Sequence, residues 1–307
     1  DAAVVLNVTQ DHLDWHGSMT AYAHAKSRLY ERANVRVVNR DDAQVLAMVA
    51  HLDDESVRSF GCGAPPLVGD MGLEESHGVR WLAAGAGDDF GATTAAASRR
   101  RKTVQRCVRA AARTQRMMPV DALRLRGLHN ALNAQAALLL AYSIGLPWSG
   151  LLRAVRDYLG EPHRMAFVRS VAGVDFIDDS KGTNVGATVA GLEGLGAKAV
   201  LIAGGLGKGQ DFSPLATPVA HHTRAVVLIG QDAELLAQAL SDTGVVCERA
   251  ESLQQAVVRA FELAQAGDAV LLSPACASMD MFRSYVHRGQ VYAEAVQELA
   301  LSQGEIA

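Results

Sequence analysis

From residue 161 on, the chain alternates between apolar blocks and amphipathic ones. The runs VDFI (174–177), AVLIAGG (199–205), AVVLIG (225–230) and AVLLSP (269–274) are continuous and rich in β-branched residues. Between them lie stretches of helical spacing near 184–194, 213–222, 232–242, 252–266 and 280–301. Strands without polar alternation are buried on both faces, so the pattern predicts a mostly parallel, Rossmann-like sheet with helices on either side. In such sheets ligands gather beyond the carboxyl ends of the strands. DDSKGTN, GGLGKGQD and SPACAS each follow an apolar run directly, which predicts three loops on one edge.

The first half is less regular. VVLNV (4–8) and VRVV (35–38) read as strands, 20–32 and 42–52 as helices, with β-like pieces around 57–61 and 78–83. An Ala/Leu stripe marks a helix over 129–145, and a second helix, 148–159, runs up to Glu161-Pro162. The residue before a proline is biased away from helix, which puts a domain boundary near 160. The expected organisation is therefore α/β throughout, as two domains, 1–160 and 161–307. A basic insert interrupts the first at about 92–120. Within it, 99–116 hold eight Lys/Arg and no acid. The insert reads either as a basic helix or arm for an anionic surface, or as a solvated insertion.

Composition narrows the classes. The 307 residues are 49% hydrophobic and 20% charged, with a net charge of −4, which argues against a chain built to coat nucleic acid. No apolar run nears the ~20 residues that span a bilayer. Cys62, Cys107, Cys247 and Cys276 lie too far apart for zinc-type pairing and read as free thiols of a reducing cytoplasm. The start on a core strand without Met suggests a fragment, and nothing in the pattern predicts more than a monomer.

Several positions could carry chemistry. GGLGKG (204–209) resembles a phosphate loop, but Gly209 stands where a P-loop needs Ser or Thr, and no G-x-x-x-x-G-K-[ST] occurs in the chain. Its N–H groups and Lys208 could cradle an anion, or it is a tight turn. NVTQDHLDWH (7–16) sets His12 between Asp11 and Asp14, suited to a divalent cation or to a capped helix start. His129, Asn130 and Asn133 open an apolar helix, where the two amides could read a purine edge or Asn130 could cap. Arg164 follows Pro162-His163 at the boundary, placed to reach a ligand or to sit in a surface ion pair. Lys26 has no special standing on spacing alone.

Taken in order, NVTQDHLDWH, the helix with Lys26, GLHNALNA, EPHR, DDSKGTNVGAT, GGLGKG and LSPACASMDMF resemble the Mur ligase family of ATP-dependent amide-bond synthetases. The likeness covers nearly all of 4–301, apart from the basic insert. DDSKGTNVGAT and LSPACASMDMF are most similar to the members that join D-glutamate to UDP-N-acetylmuramoyl-L-alanine. The resemblance implies an acyl phosphate made from ATP and attacked by an amine, within peptidoglycan precursor synthesis. It implies that His12 holds Mg2+ and that Lys26 is carried as a carbamate beside it. By the same likeness, Asn130, Asn133, Arg164, Asp179 and Lys181 serve the nucleotide, while Thr183, Lys208, Ser278 and Tyr285 surround D-glutamate. The family position of Tyr285 is often Phe, and Asp178 receives no role.

The family's P-loop, a magnesium-binding Glu and the uridine-nucleotide domain lie upstream of NVTQDH. Residues 1–307 are thus expected to comprise the later part of the central ATPase domain and the acceptor domain, without ATP turnover of their own. Two other readings stay open. One is a sister ligase for another amino acid, which would want an acid opposite a distal amine. The other is a non-catalytic α/β module whose basic insert binds an anionic partner.

Overall fold

The computed structural model describes residues 1–52, 54–87, 109–125 and 127–305. They form two compact units, 1–8 with 17–159 and 9–16 with 160–307. Residues 9–16, grouped by sequence with the first half, thus pack with the second unit.

In the first unit, β1 (Ala2–Val5), β2 (Val35–Asn39) and β3 (Val57–Phe60) make a parallel sheet in that order. Helices α2 (Met19–Glu31) and α3 (Ala43–Val49) cover one face, capped by Ser18 and Asp42, whose side chains accept from the N–H groups of Ala21 and of Gln44 and Val45. Tyr30 fastens α2 to two strands, since its hydroxyl donates to Val37 O (2.8 Å) and accepts from Val5 N (2.9 Å). Burial pushes that phenol up to about 12. Two further helices, α4 (Leu128–Ser143) and α5 (Trp148–Asp157), pack with an antiparallel sheet of β4 (Met71–Ser76), β5 (Val79–Ala86) and β6 (Arg113–Pro119).

β6 corrects one reading. The last part of the basic insert is neither helix nor arm but a strand paired with β5. Arg116 donates to Ser76 Oγ (2.9 Å) and lies 6.0 Å from the Trp81 ring centroid, so its charge is used along the hairpin. Residues 88–108, including Arg99–Arg101 and Cys107, lie outside the described residues.

The second unit contains the short helix α1 (Leu13–His16) and a six-stranded sheet. Its strands are β7 (Ala166–Val171), β8 (Val174–Asp178), β9 (Ala199–Gly204), β10 (Thr223–Ile229), β11 (Val246–Arg249) and β12 (Ala269–Leu272). The order is β11-β10-β9-β12-β8-β7, parallel except for the antiparallel β7–β8 pair. Side chains alternate between two cores. Val200, Ile202, Val270 and Leu272 face α9 (Leu253–Leu263) and α10 (Tyr285–Ser302). Leu201, Ala203 and Leu271 face α6 (Val185–Gly194), α7 (Ala216–His222) and α8 (Ala233–Ala239). Every residue of β9 is buried, which fits its continuous apolar sequence. Each such Leu or Ile contributes ~1.5–3 kcal/mol of burial. Among the described residues no helix is long and apolar enough to cross a membrane.

Candidate functional site

β9, β12 and β8 are adjacent, and Leu272 stands level with both Ile202 and Asp178. The loops after these strands therefore leave the sheet side by side, on the edge where parallel sheets bind ligands. Hydrogen bonds lace them together. Ala275 N donates to Gly182 O (2.9 Å), and Leu206 and Ala277 exchange a pair of backbone bonds (2.9 and 3.0 Å). Gln210 spans all three loops, accepting from Val185 N (3.2 Å) and donating to Ala275 O (2.6 Å). Gln210 lies within GGLGKGQD, where its residue type alone gives no signal for this role.

The 204–209 loop is more turn than anion cradle. The N–H of Leu206 goes to Ala277 O, and that of Gly207 to Asp232 Oδ2 (2.6 Å). Gly205 stands at φ 128°, and a Cβ there would collide with Ala277 O, so the position takes only glycine. Lys208 takes a left-handed φ of 54°, exposed between two glycines. What it can offer a ligand is the ammonium rather than a ring of N–H donors.

Lys208, Thr183 and His12 line one small cleft of about 50 Å³, together with Asp11 and Gln210. Asn184 caps α6, accepting from Ala187 N, and its amide donates to Asp11 Oδ2 (3.0 Å), which brings the 9–16 segment to the loop edge. His12, at φ 54°, is exposed, with its Nε2 3.5 Å from Asp11 Oδ2. Among the described residues no three His, Cys, Asp or Glu side chains gather as a metal site.

Lys181 lies over the ring of Tyr285, with Nζ 4.1 Å from the centroid. Tyr285 is the first residue of α10, which begins five residues later than the sequence suggested because 278–282 form a turn and Ser284 caps the helix. Ser278 is buried on that turn, and Arg164 is exposed. Asp179 is buried, accepting from Ser273 Oγ (2.7 Å) and Met165 N (3.3 Å). Burial, outweighing those hydrogen bonds, raises its carboxyl to about 7.

Beneath Tyr285 lies a residue that the sequence did not single out. Arg288 is fully buried, donating from Nε to Ser180 Oγ (3.0 Å) and from Nη2 to Ser180 O (2.9 Å) and Cys276 O (3.1 Å). It ties α10 to the loops after β8 and β12. An Arg within an amphipathic helix carries no sequence signal for such a role.

In the first unit, Lys26 Nζ donates to Asn7 O (2.9 Å) and lies 4.5 Å from the Tyr22 ring centroid, surroundings that suit an ammonium. Asn130 does not cap α4. The cap is Gly127, at φ 97°, which leaves Asn130 in the first turn. Asn133, one turn on, points the same way, its amide 3.5 Å from Asn130 Oδ1.

Two family models match the chain: the Mur ligase middle domain over residues 1–141 and the Mur ligase glutamate ligase domain over 163–276. The chain is 62% identical to a UDP-N-acetylmuramoylalanine--D-glutamate ligase of Bordetella avium and 54% identical to one of Burkholderia pseudomallei. These alignments take in 100% and 99% of the chain, but 60% and 61% of the relatives, so it spans about three fifths of their length. Among solved structures, MurF from Acinetobacter baumannii matches with a TM-score of 0.65 at 17% identity, covering 96% of this chain and 59% of that one. MurF ligase from Thermotoga maritima in complex with ADP matches at 0.63 and 15%, covering 98% and 62%. At such identities the solved structures speak to the fold, whereas the family models match both halves of the sequence. The chain belongs to the Mur ligase family.

Proposed function

We propose that the chain supplies the acceptor half, and part of the ATP-binding half, of an enzyme that joins D-glutamate to UDP-N-acetylmuramoyl-L-alanine in the cytoplasm. The observation that carries this reading is the cleft where Lys208 and Thr183, from separate strand-end loops, converge. An ammonium and a hydroxyl donor suit a carboxylate, and Lys181 provides a second cation on the same sheet edge. The relatives' names point to the same acceptor.

In the reaction, a carboxylate oxygen of the acyl donor takes the γ-phosphoryl group of ATP, releasing ADP and leaving an acyl phosphate. The D-glutamate amine attacks the acyl carbon, loses a proton, and phosphate departs as the amide forms. Orientation and charge neutralisation supply most of the rate in such steps. Lys208, Thr183, Ser278 and Tyr285 are assigned to hold the amino acid. Asp179, Lys181, Arg164, Asn130 and Asn133 are assigned to the nucleotide. Magnesium, when bound, offsets phosphate charge. His12 alone does not amount to a metal site among the described residues.

The test is phosphate release by a chain extended to the relatives' length, given ATP, magnesium and UDP-N-acetylmuramoyl-L-alanine. D-glutamate, L-glutamate, L-lysine and meso-diaminopimelate are offered separately. Release with D-glutamate alone is expected; release with a diamino acid, or with none, would overturn the acceptor assignment.

A further inference from the structure

Asp178 is the acid of DDSKGTN to which the resemblance gave no role, and it is buried at the end of β8. Both its oxygens are engaged. Oδ1 accepts from Ser180 N (2.9 Å), and Oδ2 lies 2.7 Å from His163 Nδ1. His163 reaches it from a left-handed backbone, φ 64°, a conformation that costs a non-glycine residue free energy and persists only where its surroundings impose it. Its carbonyl also accepts from Lys181 N (3.0 Å).

The pair rests on α10. A Cβ at Gly289 would fall against the His163 ring and within 2.6 Å of Asp178 Oδ2, so the hydrogen bond lies directly on the helix backbone. From there the imidazole stands edge-on to Tyr285, with centroids 6.1 Å apart and planes at 83°. The Tyr285 ring in turn carries the Lys181 ammonium. Contacts therefore run from Asp178 through His163 and Tyr285 to Lys181, linking a residue assigned to the acceptor with one assigned to the nucleotide.

We infer that Asp178 and His163 are positioning residues that fix the Tyr285 ring, and through it the Lys181 ammonium, in the orientations that the acceptor and nucleotide sites require. The carboxylate orients the imidazole, and the imidazole edge limits how the phenol ring can turn. Neither residue is assigned contact with a reacting atom. The functional part rests on the proposed ligase reading; the structural part does not.

Two measurements keep these apart. In residues 1–307, reductive 13C-methylation of the lysines gives a ligand-free probe, because methyls on Lys181 above an aromatic ring show a ring-current shift, assigned with Lys181→Arg. Asp178→Ala is expected to abolish that shift. Asp178→Asn, which offers Nδ1 a partner in either amide orientation, is expected to keep it, as is the wild type. In the chain of relatives' length, Asp178→Ala should raise the KM for D-glutamate, through Tyr285, and the KM for ATP, through Lys181, each about tenfold. Asp178→Asn should recover most of that loss. An unchanged Lys181 shift in Asp178→Ala would overturn the inference, as would equal losses in both variants accompanied by the same fall in Tm. If D-glutamate is no substrate at all, the ligase reading fails while the ring-current result still judges the positioning.

Discussion

The amide of Asn184 has two partners: its nitrogen donates to Asp11 Oδ2 at 3.0 Å, and its oxygen accepts from Ala187 N at 2.9 Å. One side chain thus caps α6 and holds the segment that carries His12. Substitutions separate the two tasks. Asn184→Asp keeps the cap, since a carboxylate accepts from N–H groups equally well, but sets two anions together and breaks the tether. Asn184→Ala loses both and should cost ~1 kcal/mol from the cap alone. Thermal melts at neutral pH should therefore show a loss in both variants, from the cap and tether in Asn184→Ala and from the repulsion in Asn184→Asp, with added salt recovering stability only in Asn184→Asp.

Asp179 gives a second pH signature. Burial raises its folded-state carboxyl to about 7, against an ordinary aspartate value of 3.8. Between those values the folded chain binds more protons than the unfolded one, so stability falls as pH rises and levels off above about 7. A shift of this size corresponds to at most ~4 kcal/mol. Asp179→Asn retains an oxygen for Met165 N and carries no charge, so it should be more stable than the parent at pH 8 and nearly equal at pH 4. Denaturant midpoints at the two values check this. A parent whose stability rises between pH 4 and 7, with no difference in the variant, would contradict the assignment.

Arg288 tests the lacing of the loops. Replacing it with Met keeps apolar bulk but leaves Ser180 O and Cys276 O without their guanidinium donor, and buried unsatisfied carbonyls cost ~1–3 kcal/mol each. A loss of ~2–5 kcal/mol is expected, with faster hydrogen exchange in the loops after β8 and β12 and little change at β10. Arg288→Lys keeps the charge but not the fork, so it should recover only part.

Some of this was legible in the residues alone. β9 and β12 are buried at every residue and apolar throughout, β10 is so beyond Arg224, and β8 shows its apolar face in Val174 and Phe176, so the ends of these strands marked the ligand edge. β7 and β11 escaped because they are edge strands with exposed positions, such as Phe167 and Val246. β4 and β6 escaped because a sheet rich in Glu and Arg alternates too weakly to stand out. Within the site, residue types near a motif could be nominated, but partners distant in sequence could not. His163 and Asp178 are fifteen residues apart and meet only through a left-handed turn, and Arg288 reaches its carbonyls from within a helix.

Lys26 bears on the carbamate that the resemblance implies. Its N–H can donate to Asn7 O in either form, but an anion would face the Tyr22 ring unfavourably. Labelled bicarbonate distinguishes the two. A carbamate on Lys26 gives a 13C carbonyl signal that Lys26→Ala lacks, and the variant's turnover, in the chain of relatives' length, should be partly restored by short carboxylic acids. Full activity in Lys26→Ala, with no signal in the parent, would leave Lys26 an ordinary lysine held by Asn7 and Tyr22.

Lys208 is the sharpest test of the acceptor assignment, because its backbone bonds and its charge can be told apart. The loop is held by hydrogen bonds of Leu206, Gly207 and Gln210. Lys208→Ala should therefore leave the loop in place, with Tm changed by no more than a degree or two, as expected for an exposed side chain. The lost ammonium–carboxylate bond should raise the KM for D-glutamate by ~10–100-fold, corresponding to ~1.5–3 kcal/mol for a charge-assisted hydrogen bond. The KM for ATP should stay within about twofold, because the nucleotide is assigned other residues. Equal rises for both substrates would move Lys208 to the nucleotide side, and the cleft it shares with Thr183 would then be a phosphate subsite.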